Sequence, residues 1–354
     1  MLVAAASSGP NPRPLWMNGN PHVGACEALT STQKLRGGNR EGGDVASCPP
    51  VLRSFHHRDF PRERLVEAKR GRRISVCLPA RDEEATVGDV VATIRGDLMG
   101  AGALVDQLLV VDDGSSDDTA ALSRTAGAEV VTVAAGAGGK GQAMWTAVAA
   151  TDGDLIVFCD ADVRGFESHF VTGLLGPLLV RDDVMFVKGF YDRPLDGRSG
   201  EGGRVTELVA RPLIAALFPQ LAALAQPLAG ECAARREVLE QVPFVDGYGV
   251  DLGLVIDVAE GWGIAALAQC DLGERIHRNR PLSELGPQAL AIVQVALSRA
   301  GLAPGDTPTL DDLASASWQS RLVRPGEETI VVSLSQRPAL AAVAEAAAAG
   351  RRTA

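Results

Sequence analysis

The sequence predicts an α/β fold in which a Rossmann-like, mostly parallel sheet precedes a helix-rich half. Apolar runs of strand length recur along the first half, segments with helical spacing separate them, and a polar loop follows most of the runs. The predicted strands are 74–78, 107–111, 128–133 and 154–159, and the helices between them are 86–94, 120–126 and 142–150. Strands that alternate with helices in this way form mostly parallel sheets.

The regions that flank this alternating segment differ from it in composition. Residues 1–58 are rich in Gly, Pro, Asn, Ser and Arg without a sustained period, which predicts a disordered leader. After a short helix at 60–70, the alternating half ends at residue 162. A second half, 163–303, is expected to mix helices with short strands, and 304–354 to be irregular apart from an Ala-rich helix. The helices expected beyond residue 162 are 169–180, 205–224, 251–260 and 338–349, and the short strands are 185–190 and 265–271.

Composition restricts the classes of function. The chain has 354 residues with 34 Lys and Arg against 44 Asp and Glu, a formal net charge of −10. This charge argues against nucleic acid as a partner, because phosphate backbones are bound by clustered cations. The six cysteines lack the C-x-x-C spacing of zinc or redox sites. Proline and polar residues interrupt every apolar stretch before the roughly 20 residues that span a bilayer, so we expect no membrane contact and a cytoplasmic location.

Acidic motifs follow three of the predicted strands, at 79–84, 112–117 and 160–162. Ligands of open parallel sheets bind beyond the carboxyl ends of the strands. In the last motif, Asp160 can face a ribose while Asp162 binds a hard divalent cation such as Mg²⁺ or Mn²⁺. Taken alone, that triplet is more often a turn with solvated aspartates, and each other motif could be a turn with a helix N-cap. Together they favour a sugar-nucleotide site, with Glu83 and Asp113 beside the nucleoside.

A glycine-rich loop, Gly138-Gly139-Lys140-Gly141, precedes one of the predicted helices. It is not a P-loop, because Gln142 stands where that motif requires Ser or Thr. Lys140 can offer a point charge to a diphosphate or to the edge of a uracil. The alternative interpretation is a flexible glycine loop.

Two later motifs have the chemistry of an anion site. Residues 202–208 combine glycines, Arg204 and Thr206 at a predicted helix start, which favours a phosphorylated or carboxylated acceptor, although ordinary helix capping explains the segment equally well. Residues 275–281 hold three arginines, His277 and Asn279. His277 could complete the metal site with Asp162, and Asn279 could join Arg204 at the acceptor. A histidine among arginines is otherwise more often a surface residue.

In this order, the motifs resemble those of the actinobacterial glucosyl-3-phosphoglycerate synthases, a family of retaining glycosyltransferases with the GT-A fold. The resemblance extends from about residue 72 to residue 301. It is most specific at 203–212 (GRVTELVARP), 247–250 (GYGV) and 277–282 (HRNRPL).

The resemblance implies transfer of glucose from UDP-glucose to the 2-hydroxyl of 3-phospho-D-glycerate, assisted by Mg²⁺ or alternatively Mn²⁺. Residues 59–162 are then the nucleotide-sugar-binding half and 163–303 the acceptor-binding half. Members of the family are usually homodimers, and 205–228 is the expected contact. The candidate nucleotide-sugar residues are Pro79, Ala80, Arg81, Glu83, Asp113, Lys140, Asp160 and Ala161. The candidate acceptor residues are Gly203, Arg204, Thr206 and Asn279, the metal ligands Asp162 and His277, and the catalytic residues Asp162, Lys140, Asp251 and Arg204.

The sequence also departs from the pattern of that family. Ala161 and Asp113 replace expected serines, Asp251 replaces a glutamate, and Arg81 replaces an apolar residue. The shorter carboxylate at Asp251 leaves the donor sugar open, so mannosyl-3-phosphoglycerate synthesis from GDP-mannose is an alternative. Polyprenyl-phosphate transferases share the early motifs, but no membrane anchor is expected here. A sugar-nucleotide-binding protein without turnover is the non-enzymatic alternative.

Overall fold

The computed structural model describes residues 51–100, 102–133, 139–193, 203–275, 282–302, 318–322 and 329–352. The strands in these ranges are β1 Arg53–His56, β2 Ile74–Ala80, β3 Gln107–Asp112, β4 Glu129–Thr132, β5 Leu155–Phe158, β6 Phe186–Asp192, β7 Cys232–Arg235, β8 Phe244–Val245, β9 Leu267–Glu274, β10 Trp318–Leu322, β11 Ile330–Leu334 and β12 Gln336–Arg337. The α-helices are α1 Arg62–Ala68, α2 Val87–Leu98, α3 Thr119–Ala126, α4 Gly139–Ala150, α5 His169–Val180, α6 Arg211–Leu217, α7 Arg236–Leu239, α8 Val250–Trp262, α9 Leu282–Arg299 and α10 Leu340–Arg352.

The centre of the fold is an eight-stranded sheet with the order β1-β9-β6-β7-β5-β2-β3-β4. β7 runs antiparallel to its neighbours β5 and β6, and the other neighbouring pairs are parallel. The four strands predicted for the first half are β2 to β5. The predicted α/β class and the mostly parallel sheet are therefore confirmed.

Helices cover both faces of the sheet. The sequence of β2 is therefore continuously apolar. Val76 and Leu78 point into one core with α2 and α5, whereas Cys77 points into a second core with α4 and α8. All of these side chains are fully buried. A parallel strand between two helical layers has no solvent face, so polar and apolar residues do not alternate along it.

α5 is the most apolar helix near the sheet, and it is buried over nearly its whole circumference. The ring of Phe60 occupies the place where a Cβ at Gly176 would lie, 2.1 Å from the nearest ring carbon. This contact seats α5 against the start of α1. Within the described ranges, no helix is both long enough and apolar enough to cross a membrane.

One glycine allows α4 to approach the strand that precedes α8. A Cβ at Gly141 would lie 1.8 Å from the carbonyl oxygen of Val245. Any larger residue would therefore force the first turn of α4 away from β8. Because Lys140 belongs to this turn and α8 begins at Val250, the close packing brings Lys140 near Asp251.

The second half contains the largest differences from the predicted elements. The helix expected at 205–224 is divided into a π-helical segment Thr206–Ala210, α6, and a 3-10 turn Pro219–Leu221. Pro219 cannot donate a backbone hydrogen bond, and Phe218 leaves the helical region with φ −135°, so α6 ends there. β7 and α9 were not predicted from the sequence.

Both ends of the described chain are more ordered than predicted. β1, at residues 53–56, lies inside the segment expected to be a disordered leader, yet it pairs with β9 through four residues. Towards the other end, β10 and β11 form an antiparallel pair and β12 pairs with β8, so 304–354 is not simply irregular. The prediction fails for residues 53–56 and 336–337 because these strands gain their partners from segments distant in sequence, and for 318–334 because a local antiparallel pair was missed. The rest of the predicted leader, residues 1–50, lies outside the described residues.

Candidate active site

A cavity of about 410 Å³ opens at the carboxyl ends of β2, β3 and β5. Thirteen of the residues predicted for the site line it: Pro79, Ala80, Arg81, Glu83, Asp113, Lys140, Asp160, Ala161, Asp162, Gly203, Arg204, Thr206 and Asp251. The other two predicted residues, His277 and Asn279, lie outside the described residues. The structure therefore brings together every predicted site residue that it describes.

The loops after β2 and β3 are joined to each other by hydrogen bonds to backbone N–H groups. Glu83 N donates to Thr119 Oγ1 (2.8 Å), and Ser116 N donates to Asp82 Oδ1 (2.7 Å). Asp82 also has a positive φ of 54°, a conformation that Asp tolerates better than most residues. These bonds use the acidic and hydroxyl side chains of the two motifs to fix the loop backbones, so that Asp82 has a structural role.

Asp113 is a buried carboxylate on the cavity wall. Its Oδ1 accepts no hydrogen bond from the described residues, and its Oδ2 lies 3.6 Å from Arg81 Nη1. Burial raises the pKa of Asp113 despite the nearby Arg81 guanidinium. A carboxylate that lines a cavity is suited to accept a hydrogen bond from an N–H group of a ligand.

Asp160 lies between two cations. Its Oδ1 accepts from Lys140 Nζ (3.0 Å) and its Oδ2 accepts from Arg275 Nη1 (2.9 Å). Burial alone would raise the pKa of Asp160, but Lys140 and Arg275 outweigh it and hold that pKa well below its usual range. Space for the carboxylate depends on Gly230, because a Cβ there would lie 2.1 Å from Asp160 Oδ1.

Asp162 remains accessible at the cavity wall. Its side chain is 37% exposed at the cavity wall, and Oδ1 accepts a hydrogen bond from Arg275 Nη2. A carboxylate at an open position is a suitable donor for Mg²⁺ or Mn²⁺. In the part of the chain that the structure describes, no three His, Cys, Asp or Glu side chains converge on one point.

Asp251 is held between two lysines. Its Oδ1 accepts from Lys188 Nζ (2.9 Å), and its Oδ2 accepts from Lys140 Nζ (3.1 Å). Burial of Lys140 disfavours its charged form, but the Asp160 and Asp251 carboxylates raise the pKa of Lys140 well above its ordinary value. Lys140 is therefore an ammonium ion at neutral pH. It binds both Asp160, which follows β5, and Asp251, in the first turn of α8.

A second buried group of polar side chains extends from Arg275. Arg275 Nη1 donates to the hydroxyl of Tyr191 (2.6 Å), which in turn donates to Glu231 Oε2 (2.7 Å). Arg275 Nη1 also lies 2.8 Å from Glu231 Oε1, an ion-pair contact outside the angles of a hydrogen bond. Burial raises the pKa of Glu231. Arg193 stacks on the Tyr191 ring, 4.8 Å from its centroid, and donates to the Tyr191 hydroxyl.

Gly203, Arg204 and Thr206 line the same cavity at the start of the π-helical segment. Gly203 has a φ of 75°, which residues with a side chain rarely adopt. Its carbonyl accepts from Glu207 N (3.0 Å). The predicted anion motif therefore faces the same space as Lys140 and Asp162.

Several polar or charged residues at the site were not among the candidates from the sequence: Lys188, Tyr191, Arg193, Glu231 and Arg275. Two of them could have been recognised from the sequence. Lys188 interrupts the apolar run of β6, and Glu231 is an acidic residue between Gly230 and Cys232. The sequence did not show which carboxylate each cation would meet.

Comparison with known proteins agrees with this architecture. The sequence profile of glycosyl transferase family 2 matches residues 75–242. Glucosyl-3-phosphoglycerate synthase of Mycobacterium tuberculosis is 42% identical over 321 residues, which cover 87% of this chain and 97% of that protein. The synthase of Petrotoga mobilis is 42% identical over 262 residues, covering 70% of this chain and 81% of its own length.

Solved structures of the Mycobacterium tuberculosis enzyme superpose on most of the fold. Its complex with Mn²⁺, UDP-glucose and phosphoglyceric acid has a TM-score of 0.72 at 42% sequence identity, covering 82% of this chain and 99% of that chain. Its complex with Mn²⁺, UDP and the product glucosyl-3-phosphoglycerate has a TM-score of 0.70. By sequence, fold and cavity, this chain belongs to the glucosyl-3-phosphoglycerate synthase family of glycosyl transferase family 2.

Proposed function

We propose that this chain transfers glucose from UDP-glucose to the 2-hydroxyl of 3-phospho-D-glycerate with retention of configuration, in the presence of Mg²⁺ or Mn²⁺. The observation that carries the proposal is that the nucleotide, metal and acceptor motifs line one cavity. The M. tuberculosis synthase, 42% identical to this chain, has been solved with UDP-glucose and phosphoglyceric acid together.

The donor occupies the side of the cavity formed by the loops after β2 and β3. Pro79, Ala80 and Glu83 hold the uridine, and the Asp113 carboxylate, which lines the same part of the cavity, accepts a hydrogen bond from an N–H of the base. Uracil and guanine each offer such an N–H group. Arg81 and Ala161 complete the walls of this part of the cavity.

Asp162 and His277 hold the metal in this proposal. The accessible carboxylate of Asp162 fits a hard divalent cation that keeps other positions for phosphate oxygens. When bound, such a cation stabilises negative charge on the diphosphate. Asp162 must then exchange part of its contact with Arg275, whose guanidinium keeps Asp160 and Glu231 as partners.

The acceptor occupies the opposite wall. 3-Phosphoglycerate carries a phosphate and a carboxylate, and the Arg204 guanidinium with the Thr206 hydroxyl supplies a cation and a donor for them. Gly203 leaves the backbone accessible there, and Asn279 is the proposed fourth contact. Arg204 and Asn279 orient the attacking hydroxyl.

Electrostatics and positioning provide the catalysis in this proposal. Lys140, kept charged by Asp160 and Asp251, stabilises the negative charge that develops on the departing UDP. The acceptor hydroxyl is held on the sugar face from which UDP leaves, which gives retention. The carboxylates nearest to Lys140 are poor covalent nucleophiles, because both oxygens of Asp160 and both oxygens of Asp251 already accept from cations.

One assay tests the proposed function. The protein is incubated with Mg²⁺, 3-phosphoglycerate and, separately, UDP-glucose, UDP-galactose, GDP-glucose or GDP-mannose, and products are identified by mass and anomeric NMR. We expect an α-linked glucosyl phosphoglycerate from UDP-glucose. 2-Phosphoglycerate is the acceptor control. A product only from GDP-mannose, or binding of UDP-glucose without turnover, would contradict the proposal.

The enzyme is a homodimer in this proposal, with a contact in the segment 205–228. An apolar surface supports it: Leu208 is 75% exposed, and Pro212, Ala215 and Ala216 are exposed beside it. The Leu208→Asp variant should be monomeric by light scattering. Leu122→Asp, at a leucine on α3 that is 39% exposed, should leave the mass unchanged. An unchanged mass for both variants would remove the contact from this face.

The cytoplasm is the proposed location. The cysteines among the described residues (Cys77, Cys159, Cys232 and Cys270) are free thiols, as is usual in a reducing compartment. Cell fractionation tests this directly, and recovery of the enzyme outside the cytoplasmic fraction would contradict it.

A further inference from the structure

Lys188 is a buried cation in the middle of the apolar strand β6. Its side chain is 1% exposed, and among the described residues its Nζ forms a hydrogen bond and ion pair with Asp251 Oδ1 alone. Its neighbours in the sheet are Cys232 on β7 and Gln269 on β9. Removing an ammonium ion from water costs several kcal/mol, and one partner rarely returns more than that cost.

Stability is therefore a weak explanation for a lysine at this position. A methionine would fill similar space without desolvation of a charge, and hydrophobic replacements of buried ion pairs are often neutral or stabilising. The partner points to another explanation, because Asp251 is a cavity residue. Lys188 lies behind it, on the side away from Lys140.

The contacts of Lys188 determine the direction of the Asp251 carboxylate. With Oδ1 bound to Lys188, Oδ2 is directed to Lys140, which also binds Asp160 Oδ1. Lys188 thus balances part of the negative charge of Asp251. Lys140 can therefore keep its contact with Asp160 as well as its contact with Asp251. Without Lys188, Asp251 would have Lys140 as its remaining cation, and both side chains could move.

We propose that Lys188 is a positioning residue that orients Asp251 against the hexose of the donor and thereby contributes to the choice among donor sugars. This inference rests on the proposed function. A carboxylate fixed at both oxygens accepts a hydrogen bond from a sugar hydroxyl of one orientation. A hydroxyl of the other orientation leaves buried polar groups without partners, which disfavours that sugar. A mobile carboxylate adapts to either epimer.

Lys188→Met tests the inference with UDP-glucose and its C4 epimer, UDP-galactose. We expect UDP, which has no hexose, to bind within about threefold of its wild-type affinity by calorimetry. The ratio of kcat/KM for UDP-glucose to kcat/KM for UDP-galactose should fall about tenfold or more, because the Asp251 carboxylate that contacts the sugar hydroxyl is no longer fixed. Lys69→Met is the matched control, since Lys69 forms a partly buried ion pair with Asp106 away from the cavity; its ratio should not change.

A double-mutant cycle with Asp251→Asn separates positioning from a general structural effect. If Lys188 acts through Asp251, then Lys188→Met in the Asp251→Asn background should change the donor ratio by less than about twofold. The double variant contains no unpaired buried charge at this position, so it remains measurable even where Lys188→Met alone unfolds. An unchanged ratio in Lys188→Met, or a further independent loss in the double variant, would overturn the inference. Wild-type protein that makes no glucosyl phosphoglycerate would instead refute the proposed function.

Discussion

On the donor side of the cavity, the loops after β2 and β3 are joined through backbone N–H groups, as between Glu83 and Thr119. On the floor of the cavity, by contrast, ionised side chains from distant elements bind one another: Lys140, Asp160, Lys188, Glu231, Asp251 and Arg275. The first arrangement fixes the shape of a binding surface. The second places several ionised groups in a region of low exposure, where removal of the last cation beside a buried carboxylate leaves its charge uncompensated.

The comparison predicts that the floor is more sensitive to substitution than the loops, and Arg275→Met should have the largest effect. Among the described residues, it leaves Glu231, which is 0% exposed, with the Tyr191 hydroxyl as its remaining hydrogen-bond partner. We expect a loss of about 3–5 kcal/mol in the free energy of unfolding, measured by urea denaturation, together with loss of turnover.

Arg53→Met is the control for that substitution. Arg53 forms a two-point ion pair with Asp183, whose side chain is 55% exposed. Its removal should cost about 1 kcal/mol or less. Equal losses for the two arginines would mean that burial of the partners does not govern the stability of the floor.

Lys140→Met should affect turnover more than stability. Asp251 keeps Lys188 and Asp160 keeps Arg275, so neither carboxylate loses every cation. We expect kcat to fall by about 100-fold to 1000-fold, the usual effect of removing one group that stabilises developing charge. Steady-state kinetics and a thermal melt on the same preparation would measure both. A large fall in melting temperature with unchanged kcat would assign Lys140 a purely structural role.

Thr119→Val tests the loops and should have a smaller effect. The substitution removes the acceptor for Glu83 N, and Thr119 is 0% exposed. A loss of about 1–2 kcal/mol in unfolding free energy is expected, with a raised KM for UDP-glucose and nearly unchanged kcat. Thr125→Val, which removes an exposed hydroxyl from the same helix α3, should change neither. A lowered kcat without a change in KM would contradict the proposed role of these bonds.

The smallest effect concerns histidines remote from the cavity. His57 stacks between His56 and His169, with ring centroids 4.5 and 4.2 Å apart. Burial and then the neighbouring His169 lower the pKa of His57 from 6.5 to about 4. The unfolded chain therefore binds more protons between these pH values, and stability falls as the pH drops from 6.5 towards 4.

His57→Phe should remove part of this acid sensitivity. Because His57 is partly exposed, we expect a difference on the order of 1 kcal/mol between pH 7.5 and pH 4.5. Urea denaturation of wild type and variant at both pH values measures it. Asp160 also loses stabilisation on acidification, but that loss falls mainly below its ordinary pKa of 3.8 and therefore below pH 4.5. Identical pH profiles would exclude His57 as the source.

The sequence predicted the donor side better than the floor because the donor side is made of local signals. Apolar runs followed by acidic loops locate β2, β3 and β5 and the residues at their ends. Glu83, Asp113 and Asp162 were found in this way. β1 and β7 were missed, since each is short and is stabilised by partners far along the chain.

The succession of strands, loops and helices follows from the amino-acid sequence, and so do the kinds of side chain at the carboxyl ends of the strands. Periodicity and turn chemistry act over a few residues, so they can be read from the chain directly. Tertiary structure decided which charges meet. Lys188 and Asp251 are 63 residues apart, and Arg275 and Asp160 are 115 apart. Such pairs form only when the packed sheet excludes water and brings their elements together, because a buried charge requires a partner that local sequence does not specify.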